Sequence, residues 1–305
     1  MRHLITLFDL SASDIEQIYI LADALKKAFV NGTRETHFAG RVMALLFEKP
    51  SLRTRVSFEA GFAHMGGTSM YLGADVGWGE RESAADFSRV LTQYVDIIVC
   101  RAKAHQKVEQ LAEFAHCPVI NGLTDQFHPC QALADLMTLK EHFERLQGLR
   151  LAYVGDANNV ARSLAIASAQ LGVKFTIAAP TQYQFDTEFL KQMEATFPDF
   201  DLRIYTDAAK AVHKADAIYT DVWTSMGQEG EQQERMAALA PYQVNSRLMS
   251  AAPGRAVFMH CLPARRGEEV TNEVIDSPQS VVVPQAANRM HLQKGLVAWL
   301  LSQPD

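Results

Sequence analysis

Short apolar runs alternate along this chain with longer segments in which apolar residues recur at helical spacing. In the first half the runs predict strands at 42–47, 69–72, 97–101 and 119–121, and the longer pattern predicts a helix at 129–143. Regular alternation of this kind is typical of parallel βαβ units with helices on both faces of the sheet.

The alternation continues after the short segment Gln147-Gly148-Leu149, which we interpret as a joint. The pattern beyond it predicts strands at 151–154, 174–178, 202–205, 217–220, 257–259 and 281–283, and helices at 160–171 and 188–196. A chain of 305 residues exceeds one typical domain. We therefore expect two open parallel-sheet α/β domains, at 1–147 and 148–287, with the active site in the crevice between them at the carboxyl ends of the strands.

Two further helices are predicted at the ends of the chain. Ser13-x-x-Glu16 resembles a capping box and predicts the start of the first helix. The opening residues lead directly into that helix, so we expect no signal peptide. An amphipathic pattern at 288–302 predicts a last helix that packs back on the first domain.

Composition narrows the class of protein. Hydrophobic residues make up 48% and charged residues 21%, as in a globular protein with a sizeable core. A net charge of -6 argues against nucleic acid as the main partner. The late apolar run 296–301 is too short to span a bilayer. Cys100, Cys117, Cys130 and Cys261 show no C-x-x-C spacing, and a reducing cytoplasm fits them best.

The segment 47–55 carries the most specific local signal. Pro50 ends the predicted strand, and Ser51 is a favourable N-cap for the helix that follows. Free backbone N–H groups at that helix start, together with Arg53 and Arg55, favour a small oxyanion such as phosphate. An ordinary capped helix with solvated arginines is the alternative.

Two more polar groups lie where the same crevice is predicted. Arg101 closes an apolar strand, although a surface arginine at a strand tip is an equal alternative. His128 and Gln131 flank Pro129 at the start of a long helix, where an imidazole could donate to a carbonyl and a carboxamide could bind an amide. Taken alone, His128 is better explained as a capping residue.

The second half has polar strand ends but no dinucleotide fingerprint. Gly155 to Val160 lacks the G-x-G-x-x-G glycines, so a nicotinamide cofactor is not expected. Asn158 and Asn159 could cap the helix, bind an amino-acid head group, or do both. Asp221 follows a strand and could hold a cationic amine or act as an N-cap, and the polar run 228–234 suggests a mobile lid.

His260 and Cys261 end a later strand. A cysteine beside a histidine suggests a nucleophile. However, neighbours on a strand point to opposite faces, so adjacency in sequence does not bring the two side chains together.

Together, F-E-K-P-S-x-R-T-R, H-P-C-Q, D-x-W-x-S-M-G and H-C-L-P resemble the signature set of the ornithine carbamoyltransferases, within the aspartate/ornithine transcarbamylase family. The similarity covers nearly the whole chain in the same order and spacing. It implies transfer of a carbamoyl group from carbamoyl phosphate to the δ-amine of L-ornithine, giving citrulline and phosphate in arginine metabolism. It implies no metal or organic cofactor and a homotrimer or a multiple of trimers.

The resemblance also implies roles for individual residues. Contacts to carbamoyl phosphate are implied for Ser51, Leu52, Arg53, Thr54, Arg101, His128, Gln131, Cys261, Leu262 and Arg289. Contacts to ornithine are implied for Asn159, Asp221, Ser225 and Met226. The implied catalytic residues are Arg53, Arg101, His128 and Cys261, with Cys261 as an orienting or proton-accepting group.

The chain departs from the family pattern in a loop at 77–83. Gly77 stands where family members carry a glutamine in a loop contributed by the neighbouring subunit, so the neighbour would present Trp78, Glu80 or Arg81 instead. Leu52 replaces a threonine, which matters little if only its backbone binds phosphate.

Two other functions remain open. Transfer to another amine, N-acyl-ornithine or putrescine, is one, since relatives use a tryptophan near the acceptor; the intact Ser225-Met226-Gly227 argues against it. A catalytically silent carbamoyl-phosphate-binding protein is the other.

Overall fold

The computed structural model describes residues 2–34, 36–79, 81–224 and 229–303. The chain divides into two compact units, the first formed by 1–134 and 287–305 and the second by 135–286. This division falls inside two helices, α5 (Pro129–Phe143) and α12 (Val282–Leu301). A domain boundary at 147–148 stays a prediction.

The first unit contains a four-stranded parallel sheet with the order β2-β1-β3-β4. Its strands are β1 (Val42–Phe47), β2 (Thr68–Leu72), β3 (Ile97–Arg101) and β4 (Val119–Leu123). The central strand β3 is buried along its whole length, as expected where both faces of a parallel sheet are covered. Phe47 pairs with Arg101, so β1 and β3 end at the same edge of the sheet.

The helices of the first unit include α1 (Ala12–Val30), α2 (Leu52–His64), α3 (Ala84–Leu91) and α4 (His105–Glu113). The part of α12 that belongs to this unit packs closely on α1. A Cβ atom at Gly295 would lie 2.6 Å from the carbonyl oxygen of Ile18 and from the backbone nitrogen of Ala22. Glycine at this position therefore permits the close approach of the two helices.

The second unit contains a five-stranded parallel sheet with the order β7-β6-β5-β8-β9. Its strands are β5 (Arg150–Val154), β6 (Lys174–Ala178), β7 (Leu202–Tyr205), β8 (Ala217–Thr220) and β9 (Val257–His260). The remaining helices are α6 (Asn159–Gln170), α7 (Thr187–Thr196), α8 (Ala208–Val212), α9 (Gln232–Leu239), α10 (Ser246–Ser250) and α11 (Asn272–Ile275). The predicted class of two parallel-sheet α/β domains is confirmed.

Two predictions about elements are wrong. The predicted strand at 281–283 is the beginning of α12, which tolerates Pro284 because the first helical turn has no intrahelical donors to lose. The first helix begins at Ala12, where Ser11 and Asp14 form the capping box in place of Ser13 and Glu16.

No helix among the residues that the structure describes combines the length and the apolar character that a bilayer crossing requires.

Candidate functional site

The start of α2 presents polar groups at the end of strand β1. Ser51 caps the helix by accepting a hydrogen bond from the backbone N–H of Thr54 at 3.3 Å. Its hydroxyl also donates to Thr54 Oγ1 at 3.1 Å, and Thr54 is almost fully buried. Leu52 exposes 76% of its surface, so its side chain adds nothing to a polar site. The local structure is the strand, turn and capped helix start that the sequence predicts.

Arg101 and His128 are buried at the same edge of the first unit's sheet. Arg101 is the last residue of β3, and its side chain is 6% exposed. His128 directly precedes α5, is 5% exposed, and accepts the backbone N–H of Gln131 through its carbonyl oxygen. His128 thus lies at the first turn of the helix, but its side chain is buried instead of solvated.

Arg289 of α12 forms hydrogen bonds with two residues at this edge. Its guanidinium donates to Gln131 Oε1 at 2.5 Å and to Thr54 Oγ1 at 3.4 Å. Arg289 is 3% exposed and Gln131 is 1% exposed. Residues separated by more than 150 positions in the sequence are therefore hydrogen-bonded within one buried cluster.

The charge of this cluster is strongly positive. Burial lowers the pKa of His128 well below 6.5, and the positive charges of Arg289, Arg101 and Arg53 lower it further. His128 is therefore neutral at pH 7. A neutral imidazole donates one hydrogen bond and adds no charge, so the positive charge facing a bound anion comes from the arginines.

In the second unit, Asp221 is the centre of a separate polar cluster. Asn158 donates through its side-chain amide to Asp221 Oδ2 at 2.8 Å. The carbonyl oxygen of the same amide accepts the N–H groups of Val160 and Ala161 at the start of α6. Asn158 therefore both caps the helix and orients Asp221, while Asn159 is the first helical residue.

Cys261 donates its thiol to Asp221 Oδ1 at 3.0 Å. Burial raises the pKa of this thiol well above 9.0, and the carboxylate of Asp221 raises it further. Cys261 is therefore a protonated thiol at neutral pH. A protonated thiol can orient a neighbouring group, but it cannot accept a proton, so the proton-accepting role considered for Cys261 is disfavoured.

His260 forms no pair with Cys261, as its position on the strand predicts. Its Nδ1 accepts the backbone N–H of Leu262 at 2.8 Å, which leaves the ring proton on Nε2. That nitrogen donates to Glu269 Oε1 at 3.0 Å, and both residues are fully buried. Glu269 also accepts the backbone N–H of Arg265 at 2.6 Å. The histidine thus fixes the backbone that follows Cys261.

Asp221, His260 and Cys261 could also present ligand atoms to a metal, since these atoms lie within 4.8 Å of one another. Both ring nitrogens of His260 already have hydrogen-bond partners, and the Cys261 thiol is held protonated. Metal binding would require the loss of each of these interactions, so the hydrogen-bonded network explains the cluster better.

Sequence reasoning did not find Arg235, which supports this unit's site. Its Nε donates to the carbonyl oxygen of Trp223 at 2.6 Å, and its guanidinium pairs with Asp156. Arg235 is 3% exposed and lies over the ring of Tyr183. An arginine on a helix of eight residues carries no periodic signal that would distinguish it from a solvated side chain.

Some of the predicted residues lie outside the part of the chain that the structure describes, and one, Trp78, is buried. Ser225, Met226 and Gly227 lie outside the described residues, as does Glu80. Trp78 is buried among apolar residues of its own unit, with its ring 6.2 Å from that of Phe87. Trp78 therefore belongs to the core of its own unit, whereas Arg81 is exposed, and the contact of this loop with a neighbouring subunit stays a prediction.

Two family models match this chain, one on each side of residues 142–146. The family model described as "Aspartate/ornithine carbamoyltransferase, carbamoyl-P binding domain" matches residues 2–141. The model described as "Aspartate/ornithine carbamoyltransferase, Asp/Orn binding domain" matches residues 147–300.

Individual relatives cover almost the whole chain. The ornithine carbamoyltransferase of Anoxybacillus flavithermus is 47% identical over 303 residues, covering 98% of this chain and 96% of the relative. That of Bacillus subtilis is 48% identical, with 98% and 94% covered. The solved structure of ornithine carbamoyltransferase from Pyrococcus furiosus has a TM-score of 0.95 at 46% identity, covering 100% of this chain and 98% of that one.

The state of Cys261 can be tested by alkylation. Iodoacetamide should label Cys261 more slowly at pH 8 than a free cysteine, because the raised pKa leaves less thiolate. Asp221→Asn should accelerate labelling, because it removes the negative charge with little change in size. Peptide mass mapping identifies the labelled residue, with Cys261→Ala as the control. Fast labelling that is unaffected by Asp221→Asn would contradict this assignment.

Proposed function

This chain belongs to the aspartate/ornithine carbamoyltransferase family, and we propose that it transfers the carbamoyl group of carbamoyl phosphate to the δ-amine of L-ornithine, giving L-citrulline and phosphate. The observation that carries this proposal is the cluster of Arg53, Arg101 and Arg289 around the neutral His128 in the first unit. The resemblance implies a contact with carbamoyl phosphate for each of these four residues.

The first unit would bind the donor through two kinds of group. The phosphate would lie at the start of α2, held by backbone N–H groups of 51–54 and by the guanidinium of Arg53. The 76% exposure of Leu52 supports a contribution from its backbone alone. Arg101 and His128 would donate to the carbonyl oxygen, and Gln131 would accept from the carbamoyl N–H₂ group. Gln131 Oε1 also accepts a hydrogen bond from Arg289, which fixes the orientation of the carboxamide.

The residues around carbamoyl phosphate would act mainly by stabilising negative charge, and less by transferring protons. The neutral δ-nitrogen attacks the carbamoyl carbon, a C–N bond forms, and the carbonyl oxygen becomes an oxyanion. Arg101, His128 and Thr54 would stabilise that oxyanion, and removal of one such donor typically costs about 10²–10³ in rate. The C–O bond to phosphate then breaks, and Arg53 would stabilise the departing dianion. The phosphate takes up the proton that the amine loses, and so leaves as the HPO4²⁻ dianion.

The second unit would bind the acceptor. The proposed contacts come from Asn159, Asp221, Ser225 and Met226. An alkylamine titrates near 10.4, so each unit by which its pKa must fall for attack at neutral pH costs about 1.4 kcal/mol. Cys261 and the carbonyl oxygen of Leu262 would orient the δ-amine, with the thiol in its protonated form. The predicted crevice between the domains stays part of this proposal.

The rival acceptor, an N-acylated ornithine, loses its main support. That hypothesis depended on a tryptophan available near the acceptor, and Trp78 is 6% exposed within the core of its own unit. We also propose that the reaction belongs to arginine metabolism in the cytoplasm. The free state of Cys100, Cys117, Cys130 and Cys261 fits a reducing compartment.

We further propose a homotrimer, or a multiple of trimers, in which the loop at 77–83 reaches a neighbouring site. Strand β2 is an edge strand whose residues are exposed or half-buried, whereas β1 and β3 are almost entirely buried. Leu52, Val56 and Met70 expose apolar surface on the adjoining helix and strand. A second copy of this chain would cover both the free strand edge and this apolar surface.

A citrulline assay against a panel of amines tests the function. Ornithine should support turnover, while N-acetyl-ornithine and putrescine should give little product. Arg53→Ala should lower kcat/KM by roughly 10²-fold or more, because the departing phosphate loses its cation. Arg55→Ala is the matched control, since Arg55 pairs with Glu59 on the exposed face of the same helix.

Three outcomes would contradict the function. A preference for another amine would show that ornithine is not the acceptor. Binding of carbamoyl phosphate without turnover of any amine would support the silent protein. Unchanged kinetics in Arg53→Ala would remove the phosphate assignment.

The assembly is tested by light scattering after gel filtration. We expect a mass of three times 33.9 kDa or a multiple of it. Val56→Asp should reduce the mass, because it places a charge on the proposed contact, whereas Val30→Asp should not, although Val30 is 72% exposed on α1. A monomeric wild-type chain, or an assembly that Val56→Asp leaves intact, would contradict the proposed surface.

A further inference from the structure

A second basic site lies in the second unit, at the amino ends of its strands. A cavity of about 210 Å³ is formed where β5, β6 and β7 begin and α8 ends. Six cationic or imidazole side chains line it: Arg150, Lys174, Arg203, Lys210, His213 and Lys214. Among the described residues that line the cavity, Asp201 is the single carboxylate.

The positive charge of this cavity is only partly neutralised. Asp201 accepts from Arg203 Nε at 2.7 Å and lies 3.7 Å from Lys174 Nζ. The carboxylate that pairs with Lys210 is that of Asp207, which lies 3.9 Å from Lys210 Nζ. Arg150 and Lys214 form no ion pair with any residue that the structure describes.

The balance of charge favours an anion of more than one negative charge. Five arginine and lysine side chains line the cavity beside one carboxylate, in a chain whose net charge is -6. Like charges gathered around a concave surface raise the local concentration of counter-ions. A ligand with two or more negative charges best offsets the repulsion among these cationic side chains.

The size of the cavity limits the ligand. Pockets for drug-sized molecules typically enclose roughly 300–1,000 Å³, so a cavity of about 210 Å³ suits a smaller molecule. Guanidinium and ammonium groups are the usual partners of phosphate oxygens.

This cavity is separate from the polar cluster around Asp221. Arg150 and Lys174 are the first residues of β5 and β6, whereas Asn158 and Asp221 follow the carboxyl ends of β5 and β8. A five-residue strand is about 16 Å long, so the two sites lie at opposite edges of the sheet.

We propose that this cavity binds a small multivalent oxyanion of the phosphate class, at a site distinct from the phosphate position in the first unit. Arg150, Lys174 and Lys214 supply the main contacts, and Asp201 holds Lys174 and Arg203 in position. The proposal does not depend on the acceptor or on turnover.

The test is calorimetric titration of pyrophosphate into full-length protein carrying Arg53→Ala, which removes the proposed phosphate site of the first unit. We expect one pyrophosphate bound per chain, with an affinity that falls as salt shortens the Debye length from ~30 Å to ~8 Å. Adding Arg150→Gln and Lys214→Gln should weaken binding by roughly tenfold or more. Lys191→Gln, an exposed lysine on α7 outside the cavity, should change the affinity less than twofold, a difference of roughly 0.4 kcal/mol.

Circular dichroism and thermal melting check that each variant is folded. If the double variant does not fold, Lys214→Glu tests the same cavity with one exposed residue. Absence of pyrophosphate binding in Arg53→Ala would overturn the proposal. Equal affinities in the cavity variants and in Lys191→Gln would overturn it as well.

Discussion

The concentration of positive charge beside a buried histidine is the constraint on which the first unit's site depends. Guanidinium groups stay protonated in proteins, and Arg101 and Arg289 are nearly fully buried. Burying like charges together costs free energy unless an anion or hydrogen-bond acceptors offset the repulsion. The strands, the capped start of α2 and the late helix α12 together hold these charges in place, and a phosphate dianion would offset their repulsion.

Burial lowers the pKa of His128, and these same charges lower it further. Because the folded unit keeps this imidazole neutral while the unfolded chain protonates it near 6.5, the unfolded state binds more protons in acid. The contribution of His128 to stability is therefore lost as the pH falls below about 6.5 toward the folded pKa. The Asp221 cluster of the second unit has the opposite charge, since its carboxylate accepts hydrogen bonds from Asn158 and Cys261. Positive charge for an anionic donor and negative charge for a cationic acceptor are thus built on separate sheets.

Much of the fold follows from local sequence. Strands such as Ile97–Arg101 and Lys174–Ala178 combine apolar runs with clear breaks, so their bounds agree with prediction. The β-branched run at 281–283 was wrongly predicted as a strand because Val and Ile favour strands. Tertiary contacts place this run at a helix start. Two serines, Ser11 and Ser13, each had an acid three residues later, and local pattern alone could not decide between the two capping boxes.

The site was less predictable than the fold because its contacts are distant in sequence. The spacing of His128 and Gln131 predicted that they share a helix start, but no pattern predicted that Arg289 donates to Gln131. Arg235 and Glu269 were missed because each lies outside the motifs in sequence, although each contacts a backbone group in or near one of them. The thiol state of Cys261 depends on the distance to Asp221, which sequence does not supply.

The central claim is that burial, together with the neighbouring arginines, holds His128 neutral in the ligand-free protein. The most direct measurement is a pH titration of ¹⁵N-labelled histidine side chains by NMR, with His128→Asn to assign the resonance. We predict that the His128 nitrogens keep the shifts of a neutral imidazole well below pH 6.5, and that Arg101→Gln moves the titration back toward 6.5. A titration midpoint at or above 6.5 in the wild-type protein, unchanged by Arg101→Gln, would contradict the account.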